Sequence, residues 1–204
     1  MELNYENLNS MQLDVLKELG NIGAGNAVTA LSKMLNKKIN MEVPQVRILE
    51  LAEVSEVFGG AEAPVTGIYL RMEGDISGNI MFLLPMESSR VLLDMLMGGY
   101  RDGDEFDEMD LSALEEIGNI LAGSYTSSLA AMTGMNIRVS VPALAIDMAG
   151  AVLSVPIIQF GHIGDSVMLI ETHFSEGNKH VKGNLLLIPD VESFVNLLEK
   201  LGVA

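Results

Sequence analysis

Cysteine is absent from the 204-residue chain. That absence removes a disulfide scaffold, a thiol nucleophile and a Cys-ligated zinc or iron–sulfur site together. It fits a reducing cytoplasm, where the protein is expected to act. Positive charge is also scarce: 12 Lys and Arg stand against 28 Asp and Glu, for a formal net charge of −16. Such a surface repels a phosphate backbone and an anionic leaflet, so nucleic acid is not an expected partner. The start, Met1 to Gln12, has no apolar run with a basic flank and does not read as a signal peptide. Only Val141 to Phe160 has the length and apolarity of a membrane span. Asp147 inside it would cost about 2.5–3.5 kcal/mol in a bilayer, and Pro142 and Pro156 break a continuous helix. It is read instead as a buried strand followed by a short helix, and no span is expected.

Nucleotide and hydrolase signatures are missing too. No Gly-Lys-Ser/Thr is present for a P-loop, and no G-x-S-x-G. Gly23-Ala24-Gly25 has Val28 where a dinucleotide fingerprint needs its third glycine, and its glycines follow a helical pattern. A nucleotide-binding enzyme is therefore disfavoured. His162, His173 and His180 lie far apart along predicted strands and loops and are expected to be structural or solvated.

What is present is an ordered chain, 49% hydrophobic and 20% charged, long enough to bury about 70% of its unfolded surface. Its 14 methionines read as core filler. The chain is also written twice. LDVLKELGNIGAGNAVTAL at Leu13–Leu31 matches LSALEEIGNILAGSYTSSL at Leu111–Leu129 in nine of nineteen positions, at an offset of 98. Met34 then meets Met132, Ile39 meets Ile137, and Val43-Pro44 meets Val141-Pro142. Further on the offset becomes 105, pairing Gly78-Asn79 with Gly183-Asn184 and Leu92-Leu93 with Leu197-Leu198. A repeat this long is a duplicated half-domain related by a pseudo-two-fold axis. One domain over 1–204 is expected, built of halves 1–101 and 110–204 and joined by an acidic linker from Asp102 to Asp110.

Each half repeats one plan. A long helix spans Ser10–Lys37 or Asp110–Thr133, with Ser10 and Asp110 as N-caps. A strand follows at Lys38–Leu51 or Asn136–Ile146, then a short helical segment at Glu53–Phe58 or Asp147–Val155. Two strands come next, Val65–Glu73 with Gly78–Leu84 and Ser166–Phe174 with Lys182–Ile188; the first pair turns at Gly74-Asp75. Closing helices span Met86–Met97 and Val191–Leu201. This order predicts an α/β fold: an internally duplicated pseudo-two-fold sandwich with long helices packed on a mostly antiparallel sheet.

On the first long helix Asp14, Glu18, Asn21 and Gly25 recur at a spacing that drifts only about 20° per seven residues, so they form one polar stripe. Ser112, Glu116, Asn119 and Gly123 form its twin. Glu and Asn could be ordinary exposed helix residues. Asn is a mediocre helix former, however, and Gly costs about 1 kcal/mol against Ala. Keeping Gly20-Asn21 and Gly118-Asn119 in both copies implies close packing of a second backbone, contact with a partner, or both.

ELGNIGAGNA at Glu18–Ala27 and EIGNILAGSY at Glu116–Tyr125 resemble the signature helices of the CheC/CheX/FliY family of chemotaxis response-regulator phosphatases. MEVP at Met41–Pro44, FGGAEAPV at Phe58–Val65 and LRMEGDISG at Leu70–Gly78 extend the resemblance over nearly the whole chain. Two complete motifs favour the family's CheC-type branch. The resemblance implies an enzyme that hydrolyses the phosphoaspartate of the receiver CheY. Asn21 and Asn119 would orient water, Glu18 and Glu116 would pair with a receiver lysine, and Asp14 and Ser112 would have a lesser supporting role. It implies no cofactor or metal of the chain's own, the Mg2+ being carried by the phosphorylated receiver. It also implies a second partner, the receptor deamidase CheD. IDMAGAV at Ile146–Val152 looks like the family's contact segment for CheD, with Asp147 as the matching acid; a plain helix cap is the other reading of Asp147. The competing function is a non-enzymatic adaptor that sequesters CheD or phosphorylated CheY.

Overall fold

The computed structural model describes residues 8–42, 44–98, 105–160 and 166–204. His162, Asp102 and Asp104 lie outside them. The elements run α1 (Ser10–Leu35), β1 (Asn40–Met41), β2 (Gln45–Glu50), a 3-10 helix (Leu51–Phe58), β3 (Pro64–Gly74), β4 (Gly78–Pro85) and α2 (Met86–Met97). The second half repeats them as α3 (Glu108–Thr133), β5 (Ile137–Val139), β6 (Ala143–Met148), α4 (Ala149–Phe160), β7 (Ser166–Glu176), β8 (Lys179–Pro189) and α5 (Val191–Lys200).

Among the described residues eight strands form one sheet, and every pairing is antiparallel. Its spine is the order β7-β8-β4-β3. The hairpins β3–β4 and β7–β8 meet through β4 and β8, where Met81 faces Leu186. Those two residues are twins at the 105 offset. Around them, Asn79 faces Ile188 and Leu83 faces Asn184, so each pairing has a mirror, as a two-fold axis through Met81 and Leu186 requires. The outer strands cross over. β1 and β2 of the first half pair with β7 of the second, and β5 and β6 of the second pair with β3 of the first.

Helices cover one face of the sheet. Leu16, Leu31, Leu114 and Leu129 are buried there against Ile68, Ile80, Ile170 and Leu185, with Leu92 and Leu197 from the closing helices. Leu13 and Leu111, at the starts of the repeated segments, are only half-buried. On the other face Val54 and Val152, from the 3-10 helix and α4, pack on Met81, Leu83 and Leu186. Covered on both sides, β4 is buried from Gly78 to Leu84, which explains its unbroken apolar run.

Four details differ from the sequence reading. The N-caps are Asn9 and Asp107, not Ser10 and Asp110. Asn9 accepts from the Gln12 amide and Gln12 Oε1 accepts from the Asn9 amide; Asp107 and Asp110 form the same reciprocal box. Asp110 is therefore the third helical residue, and the repeat extends outward to the caps. Each predicted long strand is broken in two, at gaps that hold Pro44 and Pro142, residues with no amide to donate to a ladder. The strand within Val141–Phe160 is not buried: β6 is an edge strand whose Ala143, Ala145 and Ile146 are exposed. Pro156 lies inside α4 and does not end it. Among the described residues no helix is long and apolar enough to cross a membrane.

Close approach explains three of the glycines. A Cβ at Gly20 would lie 2.6 Å from Val46 Cγ2, one at Gly118 2.4 Å from Ile68 Cγ2, and one at Gly23 2.4 Å from the Tyr125 ring. Gly20 and Gly118 thus let the long helices settle on the sheet, and Gly23 lets α1 meet α3. The twins of Gly23 and Tyr125 are Leu121 and Ala27, so large and small are exchanged between the copies. Asn26 Nδ2 also donates to Ser128 Oγ across the helix pair, at 2.9 Å. Gly74 has a different reason: its φ of 114° turns the first hairpin, a conformation that disfavours a Cβ.

Gly118→Ala is expected to destabilise the protein by about 1–3 kcal/mol through overpacking against buried Ile68. Gly25→Ala, where a Cβ meets nothing within 4 Å, is expected to stabilise it by up to about 1 kcal/mol. Urea denaturation of the two variants measures both signs.

Burial raises the Tyr125 pKa well above its ordinary 10.0, and a hydrogen bond with Thr172 lowers it less. The folded chain therefore keeps a proton that the unfolded chain releases near pH 10. This contribution to stability is complete below the unfolded value and is lost as pH rises toward the folded one. Stability should fall by up to about 1.4 kcal/mol per pH unit above pH 10 from this group alone. Tyr125→Phe should remove that part of the slope in denaturation curves taken from about pH 9 to 11.

Candidate active site

The two long helices carry the polar stripes on their outer sides. An apolar seam at Leu16, Leu19 and Leu31 holds α1 on the sheet, and Leu114, Ile117 and Leu129 hold α3. A helix anchored along one face turns the opposite face to solvent. Asp14, Glu18, Ser112, Glu116 and Asn119 are exposed, and Asn21 is half-buried. Among the described residues no hydrogen bond or ion pair engages the side chains of Glu18, Asn21, Glu116 or Asn119. Each pair is thus one helical turn of unsatisfied carboxylate and amide that points away from its own chain.

The two stripes differ around this common core. In the first, Lys17 Nζ lies 3.4 Å from Asp14 Oδ1, both well exposed; such a pair contributes at most about 1 kcal/mol. The twins of Asp14 and Lys17 are Ser112 and Glu115. The second stripe therefore has two adjacent acids, Glu115 and Glu116, and no cation on those turns. Both stripes end at a glycine, Gly25 or Gly123, where a Cβ would meet no atom within 4 Å. Packing within this chain does not explain those two glycines, unlike Gly20 and Gly118.

The remaining candidates fall elsewhere. Asp147 lies in strand β6 opposite Val65, not on the short helix as expected from sequence. Its Oδ1 accepts from the Met148 amide at 2.7 Å, and the helix begins two residues later at Ala149. The strand extends past its predicted end because β3 offers partners as far as Pro64. His173 Nδ1 sits 3.3 Å from Glu42 Oε2 at the surface, and His180 is exposed. Neither histidine belongs to the stripes. Among the described residues no cluster of three His, Asp or Glu could hold a metal. The repeat holds one further twin pair beyond Leu13 and Leu111, Met11 and Met109. Both are exposed on the first turn; extending the same 98-residue offset by two positions finds them.

A duplicated antiparallel sheet covered by long helices is the fold that this chain shares with FliY- and CheX-type proteins. The profile of the CheC-like family matches residues 11–48 and 109–146, each long helix with the strands that follow it. The chain belongs to this family: it is 37% identical over 206 residues, 98% of each chain, to a Bacillus subtilis (strain 168) protein named CheY-P phosphatase CheC. It is 28% identical over 139 residues to the flagellar motor switch phosphatase FliY of the same organism, matching 67% of this chain and 36% of that longer one. The crystal structure of Thermotoga maritima FliY superposes with a TM-score of 0.75 at 26% identity, covering 95% of this chain and 99% of that one. A chain of the CheX–CheY–BeF3–Mg2+ complex from Borrelia burgdorferi shares the fold, with a TM-score of 0.51 and 18% identity over 82% of this chain and 95% of that one.

Proposed function

We propose that this protein is a phosphatase that hydrolyses the phosphoaspartate of a CheY-type response regulator, at two sites, Glu18 with Asn21 and Glu116 with Asn119. The observation that carries this reading is the pair of outward, unengaged Glu/Asn turns on duplicated helices. The name of the Bacillus subtilis relative, CheY-P phosphatase CheC, supports the reaction. In it water attacks phosphorus and the bond from phosphorus to the aspartyl oxygen breaks. The products are a free carboxylate, inorganic phosphate and a proton released to solvent.

Phosphoryl transfer of this kind needs positioning and charge stabilisation more than covalent help. An asparagine amide can both accept from and donate to the attacking water, and it cannot take up a proton at neutral pH. Asn21 and Asn119 therefore orient water in line with the breaking bond. Glu18 and Glu116, one turn away, pair with a lysine of the receiver and fix the register of the complex. Asp14 and Ser112 support the same edge of the stripe. The Mg2+ that neutralises the phosphoryl oxygens belongs to the receiver, so the chain supplies no metal ligand. The setting of this chemistry is the cytoplasm, where a receiver protein cycles between its kinase and its target.

A second partner surface is proposed at β6, for the receptor deamidase CheD. Asp147 is flanked there by Ile146 and Met148, which are 39% and 50% exposed. An acid between two uncovered apolar side chains on an edge strand suits a protein contact better than a helix cap. Asp147→Lys is expected to weaken capture of CheD and leave phosphatase activity of the isolated protein nearly intact. Reversing a charge at a contact replaces attraction by repulsion. Undiminished pull-down of CheD by the folded variant would reject this surface.

The central test separates an enzyme from an adaptor that sequesters phosphorylated receiver. Catalytic amounts of the protein should accelerate receiver dephosphorylation. Glu18→Ala with Asn21→Ala should leave partial activity, and so should Glu116→Ala with Asn119→Ala. The quadruple variant should be inactive, because misplacing water by about 1 Å can cost about 100-fold at each site. Substitution of exposed Glu18, Glu116 and Asn119 should each shift stability by less than about 0.5 kcal/mol, and that of half-buried Asn21, which makes no side-chain hydrogen bond among the described residues, by little more, so circular dichroism should show a folded protein. A folded quadruple variant that still works at the wild-type rate would remove these residues from the mechanism.

A further inference from the structure

Six large apolar side chains are exposed among the described residues: Met11, Met109, Val141, Ile146, Met148 and Val191. A single exposed methionine needs no explanation. Met11 and Met109 are different, because they are twins at the 98-residue offset and are 65% and 63% exposed. Each also lies on the stripe of its own helix, three residues before Asp14 or Ser112 and seven before Glu18 or Glu116. A seven-residue step keeps them on the same line as the carboxylate, about 10 Å along the axis from it.

At the other end of each stripe, Gly25 and Gly123 stand seven residues after Glu18 and Glu116. Glycine is unfavourable in a helix interior, and among the described residues, its own helix backbone aside, no atom lies within 4 Å of where a Cβ would be. The exposed apolar end and the bare end thus recur in both copies, on the line of the proposed catalytic pair.

We infer that the receiver's footprint covers the whole stripe on each helix. Met11 or Met109 is an apolar anchor on the receiver's surface, and Gly25 or Gly123 lets the receiver's backbone approach the helix. The inference rests on the phosphatase reading and adds the residues that set receiver affinity. A thioether on an unbranched chain adapts to an uneven apolar surface, and an anchor a turn and more from the chemistry positions without entering the reaction. The occupant is the receiver domain itself, because the anchor is continuous with the line of Glu and Asn that must face the phosphoaspartate. Met11, Met109, Gly25 and Gly123 are positioning residues.

The experiment uses a CheY-type receiver domain, bound to Mg2+ and beryllofluoride for affinity and acyl-phosphorylated for turnover. Met11→Ser with Met109→Ser should raise Kd and KM about tenfold with kcat unchanged, the signature of lost uniform binding. Met11→Leu with Met109→Leu should restore both. Gly25→Ala with Gly123→Ala should raise the Tm and still weaken receiver binding, a combination that a structural role for the glycines would not produce. Unchanged Kd and KM in the Ser and Ala pairs, with an inactive Glu/Asn quadruple variant, would overturn this inference and leave the phosphatase sites standing. Wild-type turnover by the folded quadruple variant would instead overturn the reading beneath it. A fall in kcat alone in the Ser pair would reject an anchoring role.

Discussion

Everything in this fold hangs on the ladder between β4 and β8. The two hairpins can join edge to edge only if each offers the other the same surface, and Met81 opposite Leu186 sets that register. A slip of one residue would turn Asn79 and Asn184 from one face of the sheet to the other and carry the neighbouring apolar side chains with them. Held in register, the two hairpins make a spine buried on both faces. The long helices are then placed by the same two-fold relation, each on the sheet and both against each other. The equivalence of the Glu/Asn pairs follows from a backbone ladder that touches neither of them.

Glycine has two separate roles in the same helices. Gly20 and Gly118 are spaces the protein fills itself, with Val46 and Ile68. They let the helix axis sit low on the sheet, so the outward side is a clean ridge. Gly25 and Gly123 are spaces the protein leaves open. The sequence presents all four as equally unfavourable helix residues, and only the positions of neighbouring strands tell them apart.

Much of the architecture was legible because duplication doubles every weak signal. The long helices, the two hairpins and the closing helices lie close to where periodicity and turn residues put them. The stripes were legible because a seven-residue spacing on a helix fixes a direction. Other features depended on contacts remote in sequence. The caps at Asn9 and Asp107 were misread by one and three residues, since Ser10 and Asp110 are equally good capping types and only reciprocal hydrogen bonds decide. The course of β6 could not be read from its apolar composition, because burial there is set by β3, its one strand partner among the described residues. Asp147 moved from helix to strand for the same reason. The half-burial of Asn21 beside the exposure of Asn119 also escaped the sequence, where the two look identical.

The crossed outer strands bear on how the chain is made. As the first half leaves the ribosome, β2 has no partner, because its ladder is with β7, more than a hundred residues downstream. The free edge of β4 waits for β8 in the same way. Only the β3–β4 hairpin and the helices can form early, and α1 must hold its apolar seam without a finished sheet beneath it. Pairings so distant in sequence close slowly, and an uncovered edge strand is a template for the wrong neighbour. On a ribosome array, the nearest such neighbour is the same half of another nascent chain, whose β4 edge could pair with this one about the same two-fold axis. The symmetry that builds the monomer thus also defines its most accessible misassembly.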